Sequence, residues 1–440
     1  MTYTFVAVFL NTALLVTAST GGDCSEPLFI SSVVKSWIVE TVHEELPSVE
    51  LMGKVDFDSN GDLSPETCDG TSYKIQYPSV SFNGVESARM ITGREGFLFP
   101  KTINFVYMSA CNLFPEIKEK CSSCHDVGCL KEKNDLMRRA DPLLRAYLLS
   151  KLVNQHSGDQ LVRRALCLSD PSTPVRWSTA NAKVDVRSNT CAVNTGFARG
   201  MGVESVEPGD LSYKISQIKQ DNYAKDKNGN HLRTDSNELY ADLTPEKSKR
   251  LFRDTLAMGK RVLGILNGIH SHGLVLDSMW STYFVSPVGG SEFNKLILGN
   301  ILAIVPMGFE VKKTLNMPND LSHHNAPWES PQIEIAPRGY RDDLFDLIEL
   351  MNEMLSLGKY PRSRIDNPNW KTRSFFDASS DSFFSHITYF VGVMADIQTE
   401  LNVFLQHVLT LSDVHSVPDY DLLFEAIRKA EAIIQSAPNK

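Results

Sequence analysis

Ile269-His270-Ser271-His272-Gly273-Leu274-Val275-Leu276-Asp277-Ser278-Met279-Trp280-Ser281-Thr282-Tyr283-Phe284 is the stretch on which the reading of this chain turns. It follows a helix that Thr244-Pro245 should open. That helix carries Leu251, Phe252, Leu256, Val262, Leu263 and Leu266 towards Ile269 on one face. Downstream come Ala303-Ile304-Val305-Pro306-Met307-Gly308-Phe309, then Ile335-Ala336-Pro337-Arg338, then Arg341-Asp342-Asp343-Leu344-Phe345-Asp346-Leu347. Near the end, Val417-Pro418-Asp419-Tyr420 precedes an amphipathic helix. A second apolar stripe runs through Phe383, Ile387, Phe390, Met394, Ile397, Leu401 and Phe404, so the second half reads as helical.

In order and spacing these segments resemble the C-lobe of eukaryotic protein kinases, especially casein-kinase-one-like sequences. There the first stretch runs I-H-S-x-G-L-V-H-R-D-I-K-P-x-N-F, in step with this chain and without a gap. The segment around Pro306 resembles the passage holding D-F-G, Ile335 to Arg338 resembles the A-P-E anchor, and the helix start at Asp343 resembles the buried D-x-W. Val417 to Tyr420 is similar to the P-D-Y segment of the casein-kinase-one group. The resemblance implies an α+β, bilobal protein-kinase-like fold, with a mixed N-lobe and a helical C-lobe; the cysteines of the first half add disulfides to the N-lobe. It places residues 19–242 in an N-terminal extension and N-lobe and residues 243–440 in the C-lobe. It also implies that Asp343 is buried and accepts hydrogen bonds from the backbone of the catalytic loop.

Phosphoryl transfer needs a carboxylate near the attacking hydroxyl, with Asp and Asn side chains holding Mg²⁺ on the phosphates. The in-step reading puts Ser278 in the slot of the catalytic Asp and Tyr283 in that of the metal-binding Asn. Pro306 falls in the slot of the D-F-G Asp, and Leu276 takes the first place of H-R-D. A hydroxyl is no general base at neutral pH without activation, and neither Tyr nor Pro offers Mg²⁺ a carboxylate. Arg338 stands where A-P-E has its Glu, which should remove the usual anchoring ion pair. Asp277, one residue before the catalytic slot, is the one carboxylate that a divergent kinase would use. No G-x-G-x-x-G precedes the N-terminal strands. Tyr107 sits where V-A-I-K would have Lys, and the helix expected to bring a Glu partner shows Arg145.

The N-terminus has an apolar run from Phe5 to Val16, with Val16 and Ala18 at signal-peptidase spacing, so residues 1–18 read as a cleaved signal peptide. No later stretch has the uncharged length of a spanning helix. The eight cysteines, Cys24, Cys68, Cys111, Cys121, Cys124, Cys129, Cys167 and Cys191, all lie in the first half. An even count behind a signal peptide reads as disulfides, with the pairing open. Zinc at Cys121, Cys124, His125 and Cys129 is the other reading of that cluster. A secreted kinase fold without a glycine-rich loop resembles the with-no-Gly-loop branch of the secreted rhoptry and dense-granule kinases of coccidian parasites. That resemblance implies residence in the parasitophorous vacuole or cyst wall and a scaffolding role with protein partners.

The formal net charge of −9 and pI near 5.7 argue against a nucleic-acid surface, which needs a Lys/Arg excess. In the N-terminal half, Thr102 to Tyr107 reads as a strand, and Asp141-Pro142 opens a helix with Leu143, Leu144, Tyr147, Leu148 and Leu152 on one face. Asp221 to Asp242 reads as an exposed loop. Asp56, Asp58 and Asn60, with Gly61, match the start of an EF-hand calcium loop, but its twelfth place is Thr67 and Glu66 falls one residue early. His270, His272, His323 and His324 have no acid or nucleophile at a motif distance and read as surface or turn histidines. The function these residues indicate is a secreted pseudokinase that binds or scaffolds without a cofactor. A divergent Ser/Thr kinase using Asp277 and a calcium-binding extracellular structural protein are the alternatives.

Overall fold

Helix α1 spans Pro142–Gln155. It starts as its sequence dictates: the Leu144 amide donates to Asp141 Oδ1 at 3.0 Å, and Pro142 sits where a missing amide costs nothing. More than one face of α1 is covered, for Arg145 and Ser150 are buried beside the expected leucines. The computed structural model describes residues 34–36, 38–40, 42–53, 55–57, 63–65, 73–82, 85–92, 102–108, 141–155, 157–170, 176–177, 184–185, 190–191, 196–197, 199–205, 211–223, 225–230, 244–286, 293–315, 332–357 and 393–437.

The covering layer is a five-stranded antiparallel sheet of β1 (Tyr73–Phe82), β2 (Val85–Thr92), β3 (Thr102–Met108), β4 (Ala165–Leu168) and β5 (Arg199–Glu204), in the spatial order β1-β2-β3-β5-β4. β3 is the strand expected at Thr102, and its Phe105 is fully buried. α1 enters the chain between β3 and β4 and packs on β4 and β5. The outer edge of β4 is covered by residues 50–52. The Met52 amide donates to the Leu168 carbonyl at 2.8 Å, and the Leu168 amide to the Glu50 carbonyl at 2.9 Å.

The second half is helical: α2 (Leu211–Asn222), α3 (Pro245–His270), α4 (Tyr340–Leu355), α5 (Val393–Thr410) and α6 (Tyr420–Ser436). Thr244 caps α3 by accepting from the Lys247 amide at 3.3 Å, and Asp419 caps α6 by accepting from the Leu422 amide at 3.0 Å. The α3 stripe from Leu251 to Ile269 is buried against α4 and α6. Of the second stripe, Ile397, Leu401 and Phe404 are buried in α5, while Phe383, Ile387 and Phe390 lie outside the described residues. One apolar cluster runs from Val34 through α1 and α3 to Ile434. The chain is therefore α+β, with sheet and helices closing on a shared core.

Two segments differ from expectation. Asp221 and Asn222 complete the last turn of α2, and the loop proper begins after them. Its Asn-Gly is a tight turn in which Asp226 Oδ1 accepts from the Asn228 and Asn230 amides at 2.8 and 2.9 Å. The calcium-loop match forms a two-stranded hairpin, Val55–Phe57 with Leu63–Pro65, and Asp56 stands opposite Ser64. Both ends of the matched segment are thus extended and not helical. Asp58 and Asn60 lie outside the described residues, as do Cys24, Cys68, Cys111, Cys121, Cys124, Cys129 and the N-terminal 18 residues. Cys167 is fully buried in β4 and disulfide-bonded. Cys191 lies in a short strand, Thr190–Cys191, paired with Val184–Asp185. Among the described residues no helix is long and apolar enough to cross a membrane.

Candidate functional site

α3 stops at His270, where the Ser271 amide still donates to the Asn267 carbonyl at 3.0 Å. The chain reverses at Gly273, whose φ of +68° suits glycine. Strand β6 (Leu274–Leu276) follows. β7 (Phe284–Val285) pairs with β8 (Ile297–Leu298), and β6 pairs antiparallel with β9 (Ile304–Pro306). The β6–β9 register sets Leu274 opposite Pro306 and Leu276 opposite Ile304, and all six residues of this pair are buried. Pro306, without an amide, ends its strand, where it costs no ladder hydrogen bond. The Met307 amide then donates to the Gly273 carbonyl at 2.9 Å, which closes the two turns together. Phe309 is buried with Val275, Val305 and Tyr340.

Beyond β6, the Asp277 amide donates to the Ala303 carbonyl at 2.8 Å. Ser278 Oγ donates to Asp277 Oδ1 at 3.3 Å and lies 3.2 Å from the Tyr283 hydroxyl. Tyr283 is buried, and its own carbonyl accepts from the Gly299 and Asn300 amides at 2.6 and 3.2 Å. Burial pushes the Tyr283 phenol above its ordinary value. The Asp277 charge adds to that rise, and the hydrogen bonds from Ser278 and Asn300 oppose it. The site thus brings together Asp277, Ser278 and Tyr283, one carboxylate and two neutral hydroxyls, whereas Pro306 lies opposite Leu274, at the other end of β6 from Asp277. Trp280, between them, is half-exposed. On α1, Arg145 donates from Nη2 to the Leu302 carbonyl at 2.9 Å, so a cation faces the turn before β9.

Asp343 sits in the first turn of α4 and is fully buried. Its Oδ2 accepts from the Leu276 amide at 2.9 Å and lies 2.9 Å from His270 Nε2, while its Oδ1 accepts from Arg338 Nη2 at 2.9 Å. Arg338 does not leave its segment without an ion pair. It pairs with Asp343 and Asp346 and donates from Nε to the Leu276 carbonyl. Asp343 and Asp346 are three residues apart on one helical face, and the guanidinium fork reaches both. Burial works against the Arg338 charge, but Asp346, Asp343 and Asp342 outweigh it and hold the group cationic.

The histidines also depart from expectation. His270 is the last residue of α3 and is buried. Its Nδ1 hydrogen-bonds the Tyr420 hydroxyl, its carbonyl accepts from the Tyr340 hydroxyl at 3.1 Å, and the Tyr340 ring lies 4.4 Å away. His272 is buried too, with Nδ1 2.8 Å from Glu44 Oε1. These acids are absent from the local sequence because they arrive from α4 and from the N-terminal segment. Burial pushes the Tyr420 phenol well above the usual range, and the Asp343 charge adds to it. Tyr420 was visible only as part of the P-D-Y resemblance, which says nothing of its partner. His323 and His324 lie outside the described residues.

No family model and no curated protein matches the chain. Among solved structures, a structure of vaccinia related kinase 3 is similar, with a TM-score of 0.40 and 12% sequence identity, covering 94% of this chain and 98% of that chain.

Proposed function

We propose that the chain is a secreted pseudokinase that acts as a non-catalytic binding or scaffolding module for protein partners. One observation carries it. Where phosphoryl transfer requires a base and Mg²⁺ ligands, this site has Ser278, Tyr283 and Pro306, and the Ser278 and Tyr283 hydroxyls lie 3.2 Å apart, against each other. Neutral hydroxyls and a proline do not offset the charge of a triphosphate and its metal. The five-stranded sheet, the helix inserted before β4 and the acid buried at the start of α4 support the bilobal kinase reading of the α+β fold. Secretion and a vacuolar or cyst-wall residence rest on the N-terminal apolar run and on the resemblance to the with-no-Gly-loop branch, within which the chain resembles the bradyzoite pseudokinase.

Calorimetry with ATP, with and without Mg²⁺, tests this reading on the purified chain. The expected result is no Mg²⁺-dependent binding. Micromolar, Mg²⁺-dependent binding overturns it. A divergent kinase is the second reading, favoured by Asp277, whose amide is pinned to Ala303 and whose carboxylate adjoins the catalytic slot. Transfer of labelled phosphate that is lost in Asp277→Ala is the outcome that selects it.

A further inference from the structure

Residues 34–53 touch four separate parts of the molecule. Val34, Ile38 and Val42 recur every fourth residue on one helical face and are buried in the shared core, whereas Lys35, Ser36, Val39 and Glu40 are exposed. The helical run ends at His43, whose φ of +55° is in the left-handed region and whose amide donates to the Val39 carbonyl at 3.0 Å. The chain then turns. Glu44 pairs with His272 in the turn between α3 and β6. Leu46 and Val49 pack against the core. The Glu50 amide donates to the Tyr147 hydroxyl of α1 at 2.8 Å, and its carboxylate pairs with Lys151 of α1 at 2.6 Å. Finally Leu51 bridges Leu168 on the open edge of β4.

From this geometry we infer that residues 34–53 are a built-in strap that latches α1 and the sheet edge onto the α3–β6 turn and so sets the position of α1 against the candidate site. The inference goes beyond the scaffolding reading and does not depend on whether the site is catalytic. The strap is anchored unevenly. Its helical end is held by Val34, Ile38 and Val42, buried in the shared core, and its far end by the partly buried Leu46 and Val49, the buried Met52, a few hydrogen bonds, the exposed Glu50–Lys151 pair and the contact of Glu44 with the buried His272. The exposed Glu50–Lys151 pair contributes little, so the far end is where the latch opens. α1 in turn packs on the turn Ile301–Ala303 and on β9, and Arg145 bonds the Leu302 carbonyl. Displacing α1 from the site therefore requires unlatching residues 44–52, and a partner that strips the strap frees α1.

Hydrogen exchange followed by mass spectrometry on the full chain tests this, with Ile38→Asp to unseat the anchor and Tyr147→Phe to remove one far-end bond. Ile38→Asp is expected to speed exchange about tenfold or more in 44–52, 142–155 and 165–168, while α5 and α6 keep their protection. Tyr147→Phe, which keeps the ring, is expected to speed exchange several-fold in 50–52 and 165–168 and to leave α5 and α6 unchanged. The inference is overturned by faster exchange confined to 34–53, by loss of protection spread equally over α5 and α6 in Ile38→Asp, or by wild-type exchange at 50–52 and 165–168 in Tyr147→Phe.

Discussion

Asp343 Oδ2 accepts the Leu276 amide at 2.9 Å, across 67 residues of sequence. One buried carboxylate at the start of α4 thereby holds the backbone from which Asp277 and Ser278 project. The same carboxylate meets His270 and Arg338, so the loop is held whatever chemistry its side chains perform.

Removing that carboxylate leaves a buried guanidinium with one acid fewer and a buried amide without an acceptor. Asp343→Ala is expected to lower unfolding free energy by about 3–5 kcal/mol, as for other broken buried ion pairs. Asp343→Asn, which keeps the shape and one acceptor, should cost less. Denaturant titration measures both, and a loss under about 1 kcal/mol in Asp343→Ala would mean that the network is slack.

Three phenols at or beside the site, Tyr283, Tyr340 and Tyr420, are raised from an ordinary value of 10.0, in each case first by burial. A phenol raised on folding contributes stability that is fully present below pH 10 and lost as pH rises through the folded value. Tyrosinate absorbance should therefore show a late-titrating class that disappears in denaturant, and alkaline unfolding should begin above pH 10. In Tyr420→Phe the late class should shrink. Its full persistence would place Tyr420 among the ordinary phenols.

The pseudokinase reading predicts a gain of binding as well as an absence. Pro306→Asp with Tyr283→Asn restores an acid and an amide at the slots read as metal ligands. Mg²⁺-dependent nucleotide binding by calorimetry is the expected outcome. Continued absence in a folded double variant would mean that these two positions are not the metal slots.

Cys167 is buried and disulfide-bonded, and the other seven cysteines lie in the same half of the chain. Mass spectrometry of the purified, unreduced chain should recover most of the eight cysteines in disulfides. Several free thiols would count against an oxidising compartment.

Local signals in the sequence determined where the main elements begin. Asp141-Pro142, Thr244-Pro245 and Asp419 each start a helix, because a cap is a contact across three residues that the chain makes with itself. Apolar periodicity likewise marked the buried face of α3, since a stripe at helical spacing has to be covered. The residues around Asp277 and Asp343 are legible in the sequence as types in order, through their resemblance to kinase segments. Tertiary structure alone decided their partners. Arg338 reads in sequence as a lost ion pair and is in fact the centre of two, while His270 reads as a turn residue and joins α3, α4 and α6. Glu44 and His272 meet across 228 residues. Such pairings are fixed by how the shared core closes over long stretches of chain, and a hydrogen bond needs position and angle that residue identity does not carry.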